Sequence, residues 1–166
     1  MKNNSNLEFI NDELILYKES RYIQFFNLKS DENSTFFYTD ILSRGRSFEN
    51  FDFSNMLIKN SFYCEKSMEY MEKFDVKGAE LKDYISRKSS TNFIFAKIYI
   101  KTNNNEEFLN KIYLEKFESF TYTKNKKIIL GVISSNNMFE LKNEIFRVWE
   151  IYRKALNKSK FNLGKQ

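Results

Sequence analysis

Apolar and polar residues alternate along much of the first quarter of the chain. Arg21 to Lys29 and Ser34 to Leu42 are rich in Ile, Phe and Tyr, and they flank the polar, turn-forming Ser30-Asp31-Glu32-Asn33. Such runs read as β-strands. With Glu13 to Lys18, which follows an Asn11-Asp12 turn, they predict a three-stranded meander, and Leu7 to Ile10 is a candidate additional strand.

Beyond the loop Ser43-Arg44-Gly45-Arg46-Ser47 the period lengthens. Met56, Leu57, Cys64, Met68 and Met71 recur at steps that suit one buried helical stripe. Asp75 could cap a second, shorter helix over Gly78 to Lys88, with Leu81, Tyr84 and Ile85 turned inward. Phe93 to Lys101 then alternates cleanly, Ile94, Ala96, Ile98 and Ile100 on one face and Phe95, Lys97, Tyr99 and Lys101 on the other. Phe108 to Tyr122 reads as a strand long enough to bend. Lys127 to Ile133 is apolar on both faces, which predicts a central strand.

The last element is an amphipathic helix. Asn136 or Asn137 caps it, Glu140 completes a capping box, and Leu141, Ile145, Val148, Trp149, Tyr152 and Leu156 form its stripe. Lys158 to Gln166 reads as a frayed basic tail. The order strands, helices, strands, helix predicts an α+β fold with a mostly antiparallel sheet and a long C-terminal helix, in a single domain over 1–166.

Composition narrows the chemistry. With 42% hydrophobic and 17% aromatic residues the chain is not disordered. Its longest nearly unbroken apolar run, Ile128 to Ile133, falls far short of the ~20 residues of a membrane span. No apolar leader core is present and Cys64 has no partner for a disulfide, so the expected location is cytoplasmic, without a membrane. The absence of histidine excludes Ser-His-Asp and Cys-His catalysis and imidazole-metal sites, and one cysteine excludes thiolate zinc sites. No catalytic residue, metal site or cofactor is expected.

Charge is distributed unevenly. Residues 1–83 carry 11 Lys+Arg and 15 Asp+Glu, a balance of −4, whereas residues 84–166 carry 16 and 7, a balance of +9. Such asymmetry points towards contact with an anionic partner. Candidate contact residues are Arg44 and Arg46 in the loop, then the aromatic-basic set Phe95, Lys97, Tyr99 and Lys101. Lys111, Lys126, Lys127, Arg147, Arg153, Lys154 and Lys158 extend it. Stacking rings interleaved with ammonium groups suit single-stranded nucleic acid, if that face is open.

Two triplets, Glu80-Leu81-Lys82 and Glu140-Leu141-Lys142, each resemble the Glu-x-Lys element of restriction-type nucleases, with Asp75 or Asp52 as upstream carboxylates. Both lie in expected helices, where the family uses a strand, and solvated helix faces explain them as well. Three functions therefore stand. Foremost is a non-catalytic protein acting on a protein partner, of inhibitor, immunity or anti-defence type. A nucleic-acid binder using the basic half comes second and a metal-dependent carboxylate nuclease third. The oligomeric state is left open.

Overall fold

Alternation in the N-terminal quarter produces strands β1 (Asn6–Leu14), β2 (Arg21–Ser30) and β3 (Thr35–Leu42). The computed structural model describes residues 1–2, 4–45, 49–87 and 94–159. The three strands do not form the expected meander. β1 lies parallel to β3, while β2 crosses into a second sheet. There its inward side chains face β3 instead of bonding to its edge, and Phe26 stacks on Tyr38 with centroids 4.0 Å apart. Asn11 and Asp12 are not a turn. They stand within β1, where the register shifts between Ile10 and Glu13.

The helix expected around Met56 to Met71 is replaced by the hairpin β4 (Asn55–Cys64) and β5 (Ser67–Val76). Met56, Ile58, Phe62 and Cys64 are buried at a period of two, whereas Met68 and Met71 are exposed. Buried Asn60 interrupts the apolar alternation, and the three- and four-residue steps between methionines were coincidental. Asp75 consequently lies in β5 and caps nothing. Helix α1 (Gly78–Arg87) does form, with Glu80 accepting the Lys77 amide at 3.2 Å. Its Leu81 and Ile85 are buried, but Tyr84 points outward.

β6 (Ile94–Lys101) follows as expected. The strand anticipated over Phe108 to Tyr122 is instead helix α2 (Asn105–Leu114) and a three-residue strand, β7 (Phe120–Tyr122). Asn104 starts the helix by accepting the Glu107 amide at 3.1 Å, and Phe108, Leu109 and Ile112 then fall on one buried face. β8 (Ile129–Ser135) lies between β6 and β7, next to the edge and not central, and the middle strand is β6. Helix α3 (Met138–Ala155) forms as read, Asn137 accepting the Phe139 amide at 2.9 Å and the Glu140 amide at 3.3 Å.

The architecture is α+β with mixed sheets. A five-stranded sheet, ordered β1-β3-β6-β8-β7, carries α2 and α3 on one face, where Phe37, Ile98, Ile100, Ile112, Val148 and Trp149 belong to one core. Its other face meets the three-stranded sheet β2-β4-β5 through Phe36, Tyr38, Phe62 and Tyr99. α1 closes one end of the space between sheets, with Leu81 and Ile85 against Leu16, Phe51 and Met56. No described helix is long and apolar enough to cross a membrane.

Candidate functional site

Polar residues at inward positions of both sheets create a partly buried network. Asp40 on β3 accepts from Tyr38 OH at 2.6 Å and from Asn11 Nδ2 at 2.9 Å through one oxygen. Its other oxygen accepts from Asn60 Nδ2 at 2.7 Å. That amide nitrogen also approaches Glu72 Oε1 on β5 at 3.3 Å, so one amide group bridges two carboxylates. Lys97 on β6 neutralises Glu72, its ammonium 3.2 and 3.3 Å from the two oxygens. Tyr99 donates to Glu72 as well.

Burial and the adjoining carboxylates act on the tyrosines. Burial first, then Asp40, pushes the Tyr38 hydroxyl far above its ordinary value, and burial with Glu72 does the same to Tyr99. Tyr70, which donates to Glu72 at 3.3 Å, is pushed up to about 12.

This network forms the polar pole of a cleft of about 780 Å³. Asp40, Glu72, Lys97, Tyr22 and Gln24 lie at that pole, and Leu14, Ile58, Phe74, Val76, Leu81 and Phe95 are among the residues of its walls. An apolar cleft with a few convergent polar groups suits binding. General acid or base work suits it poorly, because each carboxylate already accepts several hydrogen bonds. The described residues contain no group of three or more side chains suited to a metal ion.

A second cluster joins the ends of the chain. Glu8 on β1 accepts from Trp149 Nε1 at 2.8 Å, Arg153 at 2.5 Å and Lys158 at 2.7 Å. Burial drives the Glu8 carboxyl upward, but Lys158, Arg153 and Trp149 together outweigh it and hold the carboxyl below the usual range. Asn6 ties in Thr35 at 2.8 Å.

The candidate contact residues do not share one face. Phe95 and Lys97 meet in the cleft, and Arg153 and Lys158 meet on Glu8. Tyr99 is buried, and Lys101 is only 5% exposed. The Lys101 ammonium donates to the carbonyls of Asp31, Glu32 and Ser34 at 2.6–2.7 Å, and burial lowers its pKa. Lys111 pairs with Glu107 at 2.6 Å. Lys127 reaches Glu32 at 3.6 Å and Glu69 at 3.9 Å, and Arg147 holds Glu144 at 2.9 Å. Lys126 lies over the Tyr122 ring, and Lys154 and Arg44 are exposed. Arg46 and residues 160–166 of the tail lie outside the described residues.

The charge asymmetry thus has an internal use. Glu8, Glu13, Glu32, Glu69 and Glu72 of the acidic half pair with Arg153, Lys158, Lys142, Lys127 and Lys97 of the basic half. The Glu-x-Lys triplets lie on α1 and α3, with Lys82 directed to Asp52 at 3.7 Å and Lys142 to Glu13 at 2.8 Å. Sequence reasoning missed Glu8, Asp40, Asn60 and Glu72. Asn60, polar where the strand alternation requires an inward side chain, was the available signal.

The pattern of the UreD urease accessory protein family matches residues 1–163. The chain belongs to the UreD family. It is 93% identical over 166 residues to the urease accessory protein UreD of Aliarcobacter butzleri (strain RM4018), an alignment covering all of this chain and 66% of that protein. It is 28% identical over 118 residues to UreD of Staphylococcus epidermidis (strain ATCC 12228 / FDA PCI 1200), covering 68% of this chain and 42% of that protein. The chain therefore spans slightly under two thirds of the first relative's length and less than half of the second's. Membership of UreD overturns the expectations of an inhibitor, immunity or anti-defence protein, of a nucleic-acid binder and of a nuclease.

Proposed function

We propose that this chain acts in the cytoplasm as a non-catalytic accessory to urease, working through contacts with protein partners. The observation that carries this reading is the UreD match over residues 1–163, together with the 93% identity to a urease accessory protein. The chemistry of the chain supports it. There is no histidine, Cys64 is buried, and the carboxylates of the cleft are tied into hydrogen bonds. Surfaces and the cleft remain as the means of action.

The test is co-expression of the urease structural proteins with and without this chain, scored by ammonia release from urea per mole of urease protein. Higher specific activity in its presence, with co-purification of a urease component, is the expected result. Equal activity in both cultures overturns the reading.

A further inference from the structure

Each sheet brings one polar cross-strand pair to the seam between them. Asp40 and Lys97 stand directly opposite each other on β3 and β6, and Asn60 and Glu72 do so on β4 and β5. The two pairs dock crosswise. Asn60 donates from the small sheet to Asp40 at 2.7 Å, and Lys97 reaches back from the large sheet to Glu72 at 3.2 Å. Tyr99 adds a second donor to Glu72 from the large sheet.

The quartet stands at a boundary. On one side the sheets meet ring against ring, with the Phe62 centroid 4.6 Å from Tyr99, 5.7 Å from Phe36 and 6.1 Å from Tyr38. The interplanar angles of these pairs are 28°, 18° and 64°, so no single stacking geometry is enforced. On the other side the sheets part to form the cleft. The ring end is fixed by the chain itself, because β2 passes into β3 through a turn whose Asp31, Glu32 and Ser34 carbonyls are held by Lys101. At the cleft end the connections are longer, one between β3 and β4 and one through α1. The small sheet is therefore tethered at one end and seated by side chains at the other.

Apolar contact alone would leave that seat loose. Packing of rings and methyls is non-directional, whereas hydrogen bonds weaken steeply off line. Displacing β4 and β5 by one inward position would bring Ile58 or Phe62 to Asp40, and Phe74 or Tyr70 to Lys97. A carboxylate and an ammonium would then lie against apolar groups without partners, which is strongly unfavourable. Nor is the quartet the most stable filling of its space. Asn60 Oδ1 is buried without a hydrogen-bond partner, and apolar side chains of similar volume often stabilise as well as a buried ion pair.

We propose that Asp40, Asn60, Glu72 and Lys97 are a seating device, which fixes one placement of the small sheet on the large one and so sets the width of the cleft. The device acts between two sheets of this chain. It is independent of what the cleft receives and of the accessory role.

Glu72→Asp tests it directly, keeping the charge but shortening the tie to Lys97 and Tyr99 by a methylene. Amide chemical shifts should move along both walls of the cleft, at Ile58 and Val76 of the small sheet and at Leu14 and Leu42 of the large one, with the fold intact. Changes confined to the neighbours of residue 72 overturn the proposal. A second variant makes the seam apolar by combining Asn60→Leu, Glu72→Met, Lys97→Met and Tyr99→Phe with Asp40→Asn, which keeps an acceptor for Tyr38 and Asn11. Its urea midpoint should stay close to or above that of wild type, while residues of β2, β4 and β5 give more than one resonance each. A single sharp set with wild-type shifts at the cleft walls means that apolar packing seats the sheet unaided, and overturns the proposal. Outright unfolding of this variant, with the walls unmoved in Glu72→Asp, makes the quartet a support for stability alone and overturns it equally.

Discussion

Trp149 donates its indole N–H to Glu8 at 2.8 Å, across 141 residues of sequence. Arg153 and Lys158 bind the same carboxylate, and Arg153 also stacks over the Trp149 ring at 5.2 Å. The end of α3 is thereby locked onto the edge strand β1. Charged hydrogen bonds of this kind are worth more than neutral ones, and losing one partner leaves the others uncompensated.

Glu8→Gln should therefore cost about 2 kcal/mol at pH 7, a fall in melting temperature of roughly 6 °C. Because the Glu8 carboxyl is held below its usual range, its contribution is present above the unfolded-state value near 4.3 and disappears as pH falls through the folded-state value. Urea unfolding followed by the fluorescence of Trp149, the chain's one tryptophan, should show the gap between wild type and variant at pH 7. At pH 3 the gap should have narrowed.

Tyrosines that are buried or partly buried give the opposite edge of the pH range. Tyr38, Tyr70, Tyr99 and Tyr152 are raised, chiefly by burial. Their contribution is complete below pH 10 and is lost as pH rises above it, by about 1.4 kcal/mol per pH unit for each such group. Absorbance at 295 nm at pH 11 should fall short of the guanidinium-unfolded value because these tyrosines stay largely protonated in the folded chain, and cooperative alkaline unfolding should follow at higher pH.

Lys101→Met should be among the costlier single changes. The side chain is nearly the same length, but it strips three carbonyls of their donor, that of Ser34 buried and those of Asp31 and Glu32 partly so. Orphaned acceptors cost ~1–3 kcal/mol each where water cannot replace the donor, so a loss of about 3 kcal/mol is expected in denaturant unfolding. Amide exchange should accelerate first at residues 31–35.

Gly131→Ala should destabilise by a steric route. A Cβ there would lie 2.1 Å from Phe120 Cε1. Overpacking of that kind costs ~1–3 kcal/mol. Adding Phe120→Leu, which removes the ring atoms that collide, should recover part of the melting temperature lost by Gly131→Ala alone.

The elements readable from sequence were those whose apolar period runs without interruption. β6 and α3 follow directly from their apolar periods and, for α3, from Asn137 as cap. β4 and β5 were hidden because Asn60 and Glu72 occupy inward positions, so the polar groups of the candidate site themselves erased the period that marks a strand. α2 was hidden because Phe108 to Tyr122 joins a helix, a turn and a short strand in one apolar stretch. The separation of β2 from β3 depends on the Phe26–Tyr38 stack, a long-range contact with no local signature. The lysine-rich second half was visible as charge. Its partners on β1 and β5 could be found only in three dimensions.

The grip of α3 on β1 fixes an order of events during synthesis. The parallel neighbour of β1 is made nearly thirty residues after it, and the indole, guanidinium and ammonium that hold Glu8 come more than a hundred residues after that. Until the nascent chain has extended past Lys158, β1 stands without its clamp, so a strand made early waits on side chains made much later.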